Sequence, residues 1–244
     1  MPDHAIVSRN EWLEARKALL DREKQLTRMR DEVTALRAAL PWVRVEQPYA
    51  FATPAGTKSL AELFERSSQL VVYHFMFDPS WDEGCKSCSF WADNFERNVI
   101  HLQHRDVTLI AVSRAPLDKL AAYKSRMGWT FTWVSSSGTD FNRDFGVSWT
   151  ADEIARGEAS YNYAPTTWEG ESPGISVFTK DAGGAVFHTY SCYARGLDMM
   201  NAAYHYLDLV PKGRDERALE YPMAWLRRRD EYEGPPVTLT RRPR

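Results

Sequence analysis

A pair of cysteines at the end of a β-branched run constrains this chain more than any other feature. Leu70-Val-Val-Tyr-His-Phe-Met-Phe77 is apolar or aromatic at nearly every position, the pattern of a central strand buried on both faces. A polar, glycine-containing stretch follows over 78–86. From about Ser87 to Arg105 apolar residues recur at helical spacing, with Trp91, Phe95, Val99 and Leu102 on one face. Cys85 and Cys88, in Gly84-Cys-Lys-Ser-Cys-Ser89, therefore sit where a strand hands over to a helix. A helix start carries unsatisfied N–H groups and roughly half a positive charge, and both favour a thiolate, the nucleophilic form of cysteine. The first cysteine falls at the cap and the second lies one turn inward, within reach of a disulfide. Cys85 is thus the expected attacking thiol and Cys88 the resolving one. Lys86 acts to lower the thiol pKa, while Asp82 and Glu83 act to raise it.

The remainder of the chain places this junction in a larger alternation. Val107-Thr-Leu-Ile-Ala-Val112 reads as a second buried strand. Ser113 with Pro116 marks a helix start, Leu117, Leu120, Ala121 and Met127 line that helix, and Gly128 is placed to end it. Trp129 to Val134 reads as a third strand. Residues 135–172 are irregular, rich in Ser, Gly, Asp, Trp and Tyr, and predict an insertion or a functional loop. Ile175–Phe178 and Ala185–Tyr190 flank Lys180-Asp-Ala-Gly-Gly184, a hairpin signature. A helix is predicted from about Leu197 to Leu209. Strand–helix alternation that finishes in a hairpin and a helix resembles the thioredoxin fold. The expectation is an α/β, thioredoxin-like three-layer fold over 42–210 with its insertion at about 135–172. An N-terminal amphipathic helix over 1–41 precedes it, and a C-terminal extension over 211–244, read as an extended wrap, follows.

Ser8 and Glu11 form a capping-box pattern at the start of the N-terminal helix. Trp12, Ala15, Leu19, Arg22, Leu26, Met29, Val33, Leu36 and Leu40 then follow at alternating steps of three and four, a heptad seam interrupted only by Arg22. Such a stripe needs a surface to cover. Its own domain or the C-terminal segment is one choice, and a homodimer through this helix is the other.

Bulk properties exclude several classes. The formal net charge is −2, so the molecule as a whole is no polycation and no nucleic-acid partner is expected. The basic stretches Arg227–Arg229 and Arg241, Arg242 and Arg244 read as solvated surface and terminus. No window of ~18 apolar residues predicts a membrane span. The N-terminus shows no apolar segment of a secretory signal and there are 3 cysteines, so a cytoplasmic protein is expected. A zinc site could draw only on Cys192 and 6 scattered histidines beyond the dithiol, with no second ligand pair at finger spacing, so neither metal nor cofactor is expected. Cys192 reads as a buried, inert thiol and His74 as a core histidine. Val186, His188 and Tyr190 alternate and are expected on one face. The aromatic residues from Trp129 to Trp168 read chiefly as core.

The stretches Gly84-Cys-Lys-Ser-Cys-Ser-Phe90, Val112-Ser-Arg-Ala-Pro-Leu117, Arg126-Met-Gly-Trp-Thr-Phe131, Ser135-Ser-Ser-Gly-Thr-Asp-Phe-Asn142, His188-Thr-Tyr190 and Ala194-Arg-Gly-Leu-Asp198 carry a resemblance. The chain resembles, from about Trp12 to Tyr232, the thioredoxin-like proteins grouped as domain-of-unknown-function 899. These are described as predicted dithiol–disulfide oxidoreductases. The resemblance implies that fold and a dithiol at Cys85 and Cys88. Pro173, before the hairpin's first strand, is where the thioredoxin fold has a cis-proline opposite the dithiol, so a cis Ser172–Pro173 bond and a substrate-binding role are expected. Ser113, Arg114, Arg126, Trp129 and Asn142 are candidates to line a ligand pocket beside the dithiol. The expected activity is thiol–disulfide exchange with a disulfide-containing protein or a small thiol substrate. The peroxiredoxin pattern PxxxTxxC is absent, since Asp78 and Asp82 stand at its Pro and Thr positions, which weakens a thiol peroxidase. A non-catalytic binding or scaffold protein is the remaining alternative.

Overall fold

The computed structural model describes residues 4–233. The chain opens with α1 (Arg9–Ala38), capped by the reciprocal Ser8–Glu11 bonds that the sequence predicts. Three short strands follow, β1 (Val43–Arg44), β2 (Ala50–Thr53) and β3 (Gly56–Ser59), and then a 3-10 turn at Glu62–Phe64. The core begins with β4 (Gln69–His74), continues through α2 (Lys86–Ala92) and α3 (Val99–Gln103) to β5 (Val107–Ser113), and through α4 (Leu117–Met127) to β6 (Thr132–Ser135). The insertion holds α5 (Phe141–Asp144), β7 (Ser148–Trp149), α6 (Ala151–Ala155), β8 (Ser160–Tyr161), β9 (Ala164–Pro165) and β10 (Gly170–Glu171). The hairpin β11 (Gly174–Lys180) and β12 (Val186–Tyr193), a 3-10 helix at Ala194–Met200 and α7 (Ala202–Leu207) complete the described elements.

One sheet runs in the order β1-β12-β11-β4-β5-β6-β2-β3. β4, β5 and β6 are parallel neighbours, while β11 runs antiparallel to β4 and β12 antiparallel to β11. This is a thioredoxin-like arrangement, with the dithiol strand in the middle. Each parallel step is a right-handed crossover in the same direction, so α2 and α4 lie on one face. There Cys88, Trp91, Leu120, Tyr123 and Met127 pack on Tyr73, Phe75 and Ala111. The other face is covered by Phe51, Leu63, Phe64 and Phe141, packed on Leu70, Val72, Ile110 and Val134. Gly128 ends α4 at φ 62, the left-handed cap for which its missing Cβ suits it.

Several boundaries differ from the sequence reading. The helix expected over 87–105 is broken between Ala92 and Val99, where Asn94 Nδ2 donates to the Phe90 carbonyl at 2.9 Å and Asn98 Nδ2 to the Asn94 carbonyl at 2.7 Å. Such local amide bonds compete with regular helix. The final helix is likewise divided at Asn201, whose side chain caps α7 by accepting from the Ala203 and Tyr204 N–H groups. In the hairpin the register slips between Val177 and Phe178, leaving Thr189 as an extra residue in β12. The slip sends Tyr190 and Cys192 to the α2 face, while Val186 and His188 face the other layer, so the expected three-residue alternation is interrupted.

α1 buries none of its residues. Among the described residues neither the C-terminal segment nor the domain buries the heptad stripe. Among the described residues no helix is long and apolar enough to cross a membrane.

Candidate functional site

β4 delivers Tyr73 and Phe75 to the α2 face, and the chain then loops through 76–84. Three features hold that loop close to the sheet. The Met76 carbonyl accepts the Cys85 N–H at 3.1 Å, and the Met76 N–H donates to Cys88 Sγ at 3.4 Å, so one residue's backbone grips both cysteines. Lys119 Nζ donates to the Pro79 and Trp81 carbonyls at 2.9 and 2.8 Å. Gly84 passes so near the core that a Cβ there would meet Phe75 Cε1 at 2.8 Å and Tyr123 Cε1 at 2.9 Å, closer than side chains pack.

Cys85 is the N-cap of α2 and is half-buried; Cys88 is buried one turn further in. The two lie 4.1 Å apart. Their environments drive their acidities apart. A hydrogen bond from the Cys88 thiol, helped by the N–H groups of Cys88 and Ser87 and the Ser87 hydroxyl, outweighs burial and lowers the Cys85 pKa to about 6. Burial, together with the hydrogen bond to Cys85 and that sulfur's negative charge, pushes Cys88 well above the ordinary thiol range. The Tyr73 hydroxyl, fully buried, hydrogen-bonds Cys88 and partly opposes that rise. Lys86 is not among the groups that shift Cys85. The Glu83 carboxylate is paired, with Arg126 Nη1 and Arg228 Nη1 both binding it, the latter at 2.9 Å.

The C-terminal extension supplies the other half of the site. Arg228 Nη2 donates to the Gly84 carbonyl at 2.9 Å, and its Nε to Tyr123 Oη at 2.8 Å. Tyr123 Oη lies 2.9 Å from Ser89 Oγ, which in turn donates to the Cys85 carbonyl at 2.9 Å. Arg228 is therefore tied into the dithiol turn, a correction to its reading as solvated surface: the Gly84 carbonyl and the Tyr123 phenol both accept from it. Trp225 and Met223 pack beside α2, with Trp225 edge-on to Phe90 at 5.9 Å. Arg241, Arg242 and Arg244 lie outside the described residues.

A cleft of about 1380 Å³ opens against this assembly. Cys88, Ser87 and Tyr73 line its inner end together with Pro173, and Trp91, Tyr204, Tyr221 and Met223 are among its apolar walls. Of the residues singled out from sequence, the structure brings Cys88 and Pro173 together here. No cis peptide occurs among the described residues, so Ser172–Pro173 is trans, with the Pro173 carbonyl accepting from Tyr161 Oη at 2.8 Å. The expected cis bond is thus corrected; trans is the lower-energy form and nothing here selects against it.

Ser113, Arg114, Arg126, Trp129 and Asn142 do not line this cleft. Ser113 is buried beneath the loop, donating to the Phe75 carbonyl at 2.6 Å and accepting from Trp133 Nε1 at 3.0 Å. Trp129 is core, its Nε1 donating to Asp93 at 2.8 Å. Asn142 is buried in the insertion, where its Oδ1 accepts from Ser136 Oγ at 2.7 Å. Arg114 binds the buried Glu171 carboxylate at 2.6 Å, with Ser148 at 2.9 Å and Asp78 at 3.2 Å, and so fastens the insertion to the end of β4. Arg126 pairs with Glu83, Asp230 and Glu231, joining the dithiol loop to the C-terminal segment. Ser113, Arg114, Arg126 and Trp129 each donate to an acceptor within the protein, whereas the buried Asn142 Nδ2 has no hydrogen-bond partner.

Sequence reasoning overlooked Tyr73, Gly84 and Arg228. Gly84, adjacent to the motif, was the legible one. His74, next to Tyr73 in the strand, faces the opposite layer, where Nε2 lies 2.9 Å from Ser176 Oγ, and burial lowers its pKa to about 3.

Residues 1–232 match the family described as "Bacterial protein of unknown function (DUF899)". The chain belongs to this family. No curated protein sequence matches it. Among solved structures it is similar to a cysteine mutant of peroxiredoxin Q from Xanthomonas campestris, at 15% identity and a TM-score of 0.43, covering 69% of this chain and 97% of that one. It is also similar to the peroxidoxin BcpB of Mycobacterium tuberculosis, at 12% identity and a TM-score of 0.44, covering 67% and 94%. The mitochondrial 2-Cys peroxiredoxin of Plasmodium falciparum gives 12% identity and a TM-score of 0.39, covering 68% and 92%.

Proposed function

We propose that this family member is a thiol–disulfide oxidoreductase acting on a disulfide-containing protein or a small disulfide. The observation that carries the reading is the split between two neighbouring thiols, Cys85 lowered to about 6 and Cys88 raised by burial. At neutral pH Cys85 is then largely thiolate and half-exposed, which is what an attacking sulfur needs. The Cys85 thiolate attacks one sulfur of the substrate disulfide, forms a mixed disulfide and expels the other substrate sulfur as a thiolate. Bonding Cys85 removes its negative charge, one of the causes that raise Cys88, so Cys88 becomes more acidic at the step that uses it. Cys88 gives up its proton, attacks Cys85 Sγ and releases the second substrate thiolate. The substrate has gained two electrons and the dithiol has become a disulfide, to be re-reduced by an external dithiol. The Met76 N–H, donating to Cys88 Sγ at 3.4 Å, anchors that sulfur beside Cys85.

Thiol peroxidase chemistry is disfavoured by the residues before Cys85. Asp82 supplies no neutral hydroxyl, and the Arg114 guanidinium is occupied by Glu171, Asp78 and Ser148. Insulin reduction with dithiothreitol and peroxide consumption by the reduced protein separate the readings. The expected result is insulin reduction abolished by Cys85→Ser, and a stable mixed disulfide with substrate in Cys88→Ser. Peroxide consumption without disulfide reduction would support the peroxidase, and neither activity would leave a binding or scaffold role.

A further inference from the structure

We propose that α1 is one strand of a parallel, in-register two-stranded coiled coil, whose partner is a second copy of this chain. The inference is independent of the redox reading. At 30 residues the helix is ~45 Å long, and none of it is buried. Its heptad stripe is open to solvent: Trp12 is 45%, Leu26 51% and Leu36 69% exposed. A single helix keeps such a stripe in water only at a cost, and most helical stability in proteins comes from packing an apolar face.

Charges on the flanks of the stripe choose the occupant and its direction. With Trp12, Leu19, Leu26 and Val33 at position a and Ala15, Arg22, Met29 and Leu36 at position d, position g holds Glu11, Ala18, Gln25 and Glu32, and position e holds Arg16, Glu23, Arg30 and Arg37. In a parallel pair each g residue meets the e residue five further along the other helix. Glu11 then faces Arg16 of the second copy, Gln25 faces Arg30, and Glu32 faces Arg37, with no like-charged pair on this rim. The antiparallel register of full overlap, with Trp12 layered against Leu36, instead sets Arg16 against Arg30 and Glu23 against Glu23. Arg22 is the one charge in the seam. Its Nη1 already donates to Gln25 Oε1 at 2.7 Å, so the guanidinium is drawn to the g flank while its methylenes remain in the stripe. A polar residue at one seam position fixes register at some loss of affinity.

The full-length chain at about 50 μM is examined by sedimentation equilibrium, and direction by electron-spin distance measurement. For the second, a nitroxide is placed at Asn10→Cys in a Cys85→Ser background. The expected mass is that of two chains, falling to one chain in Leu26→Ser with helix content retained. Helix axes in such a pair lie about 10 Å apart, so parallel chains hold the two labels within about 20 Å, against ~40 Å for antiparallel chains. Glu32→Arg is expected to weaken dimerisation roughly tenfold by replacing two attractive pairs with two repulsive ones. A wild-type mass of one chain, a mass above two, a dimer unaffected by Leu26→Ser, or labels ~40 Å apart would each overturn the proposal.

Discussion

The dithiol turn and α1 are opposite ways of holding a segment in place. Around Cys85 the local hydrogen bonds of Ser87, Cys88 and Ser89 are joined by supports from elsewhere in the chain: a backbone clamp from Met76, a carbonyl bond from Arg228, and ring edges pressed against Gly84. In α1 the supports are mainly local, namely the Ser8–Glu11 capping box and intrahelical pairs such as Arg16–Glu23 and Lys17–Glu14, with Arg37 at its C-terminal end lying over the Tyr190 ring at 4.7 Å. The chemistry sits where distant parts of the chain converge, and the free surface sits where few do. Thiol acidity depends on hydrogen bonds placed to a fraction of an ångström, which only a converging scaffold supplies.

Arg228→Ala removes a guanidinium that bonds Gly84, Tyr123 and Glu83, and is expected to cost about 3 kcal/mol in urea unfolding, since hydrogen bonds to charged groups are the strong ones. Gly84→Ala drives a methyl group into Phe75 and Tyr123, with an expected cost of about 2 kcal/mol and slowed disulfide exchange as the Cys85 turn is displaced.

The pH dependence sharpens the same contrast. Alkylation of Cys85 by iodoacetamide is expected to reach half its maximal rate at about pH 6, with Cys88 unreactive in the same range. In Cys88→Ala the midpoint is expected to move up, because the largest stabilising hydrogen bond to the Cys85 thiolate is gone. The folded value lies below the unfolded one, so ionised Cys85 contributes stability that is fully present above the ordinary thiol pKa of 9.0 and is lost as pH falls through about 6. Urea titrations of wild type and Cys85→Ala at several pH values measure this window. At the other end of the scale, Leu26→Ser is expected to leave the intrinsic stability of the thioredoxin-like domain unchanged within about 0.5 kcal/mol, because Leu26 touches no part of it.

Much of this architecture was legible in the sequence. The β4, β5 and β6 runs, the glycine stop after α4, the capping box of α1 and the β11–β12 hairpin all follow from residue type and spacing within short windows. The misreadings share a cause. Asn94, Asn98 and Asn201 stop helices through side-chain bonds that an apolar periodicity does not register. The bulge at Thr189 moves Tyr190 to the other face although the alternation in sequence is unbroken. Ser113, Arg126 and Trp129 are the polar or amphipathic residues one would choose for a ligand pocket, yet each donates to a protein partner far away in sequence.

The order of strands and helices, the place of Cys85 and Cys88 at a strand–helix junction, and the apolar seam of α1 were determined by the sequence alone, because periodicity and capping act between near neighbours. Which arginine grips the turn before Cys85, and which residues wall the cleft over Cys88, were decided only by tertiary structure. Those outcomes depend on burial and on hydrogen bonds between residues such as Gly84 and Arg228, whose separation of 144 positions leaves no trace in local pattern.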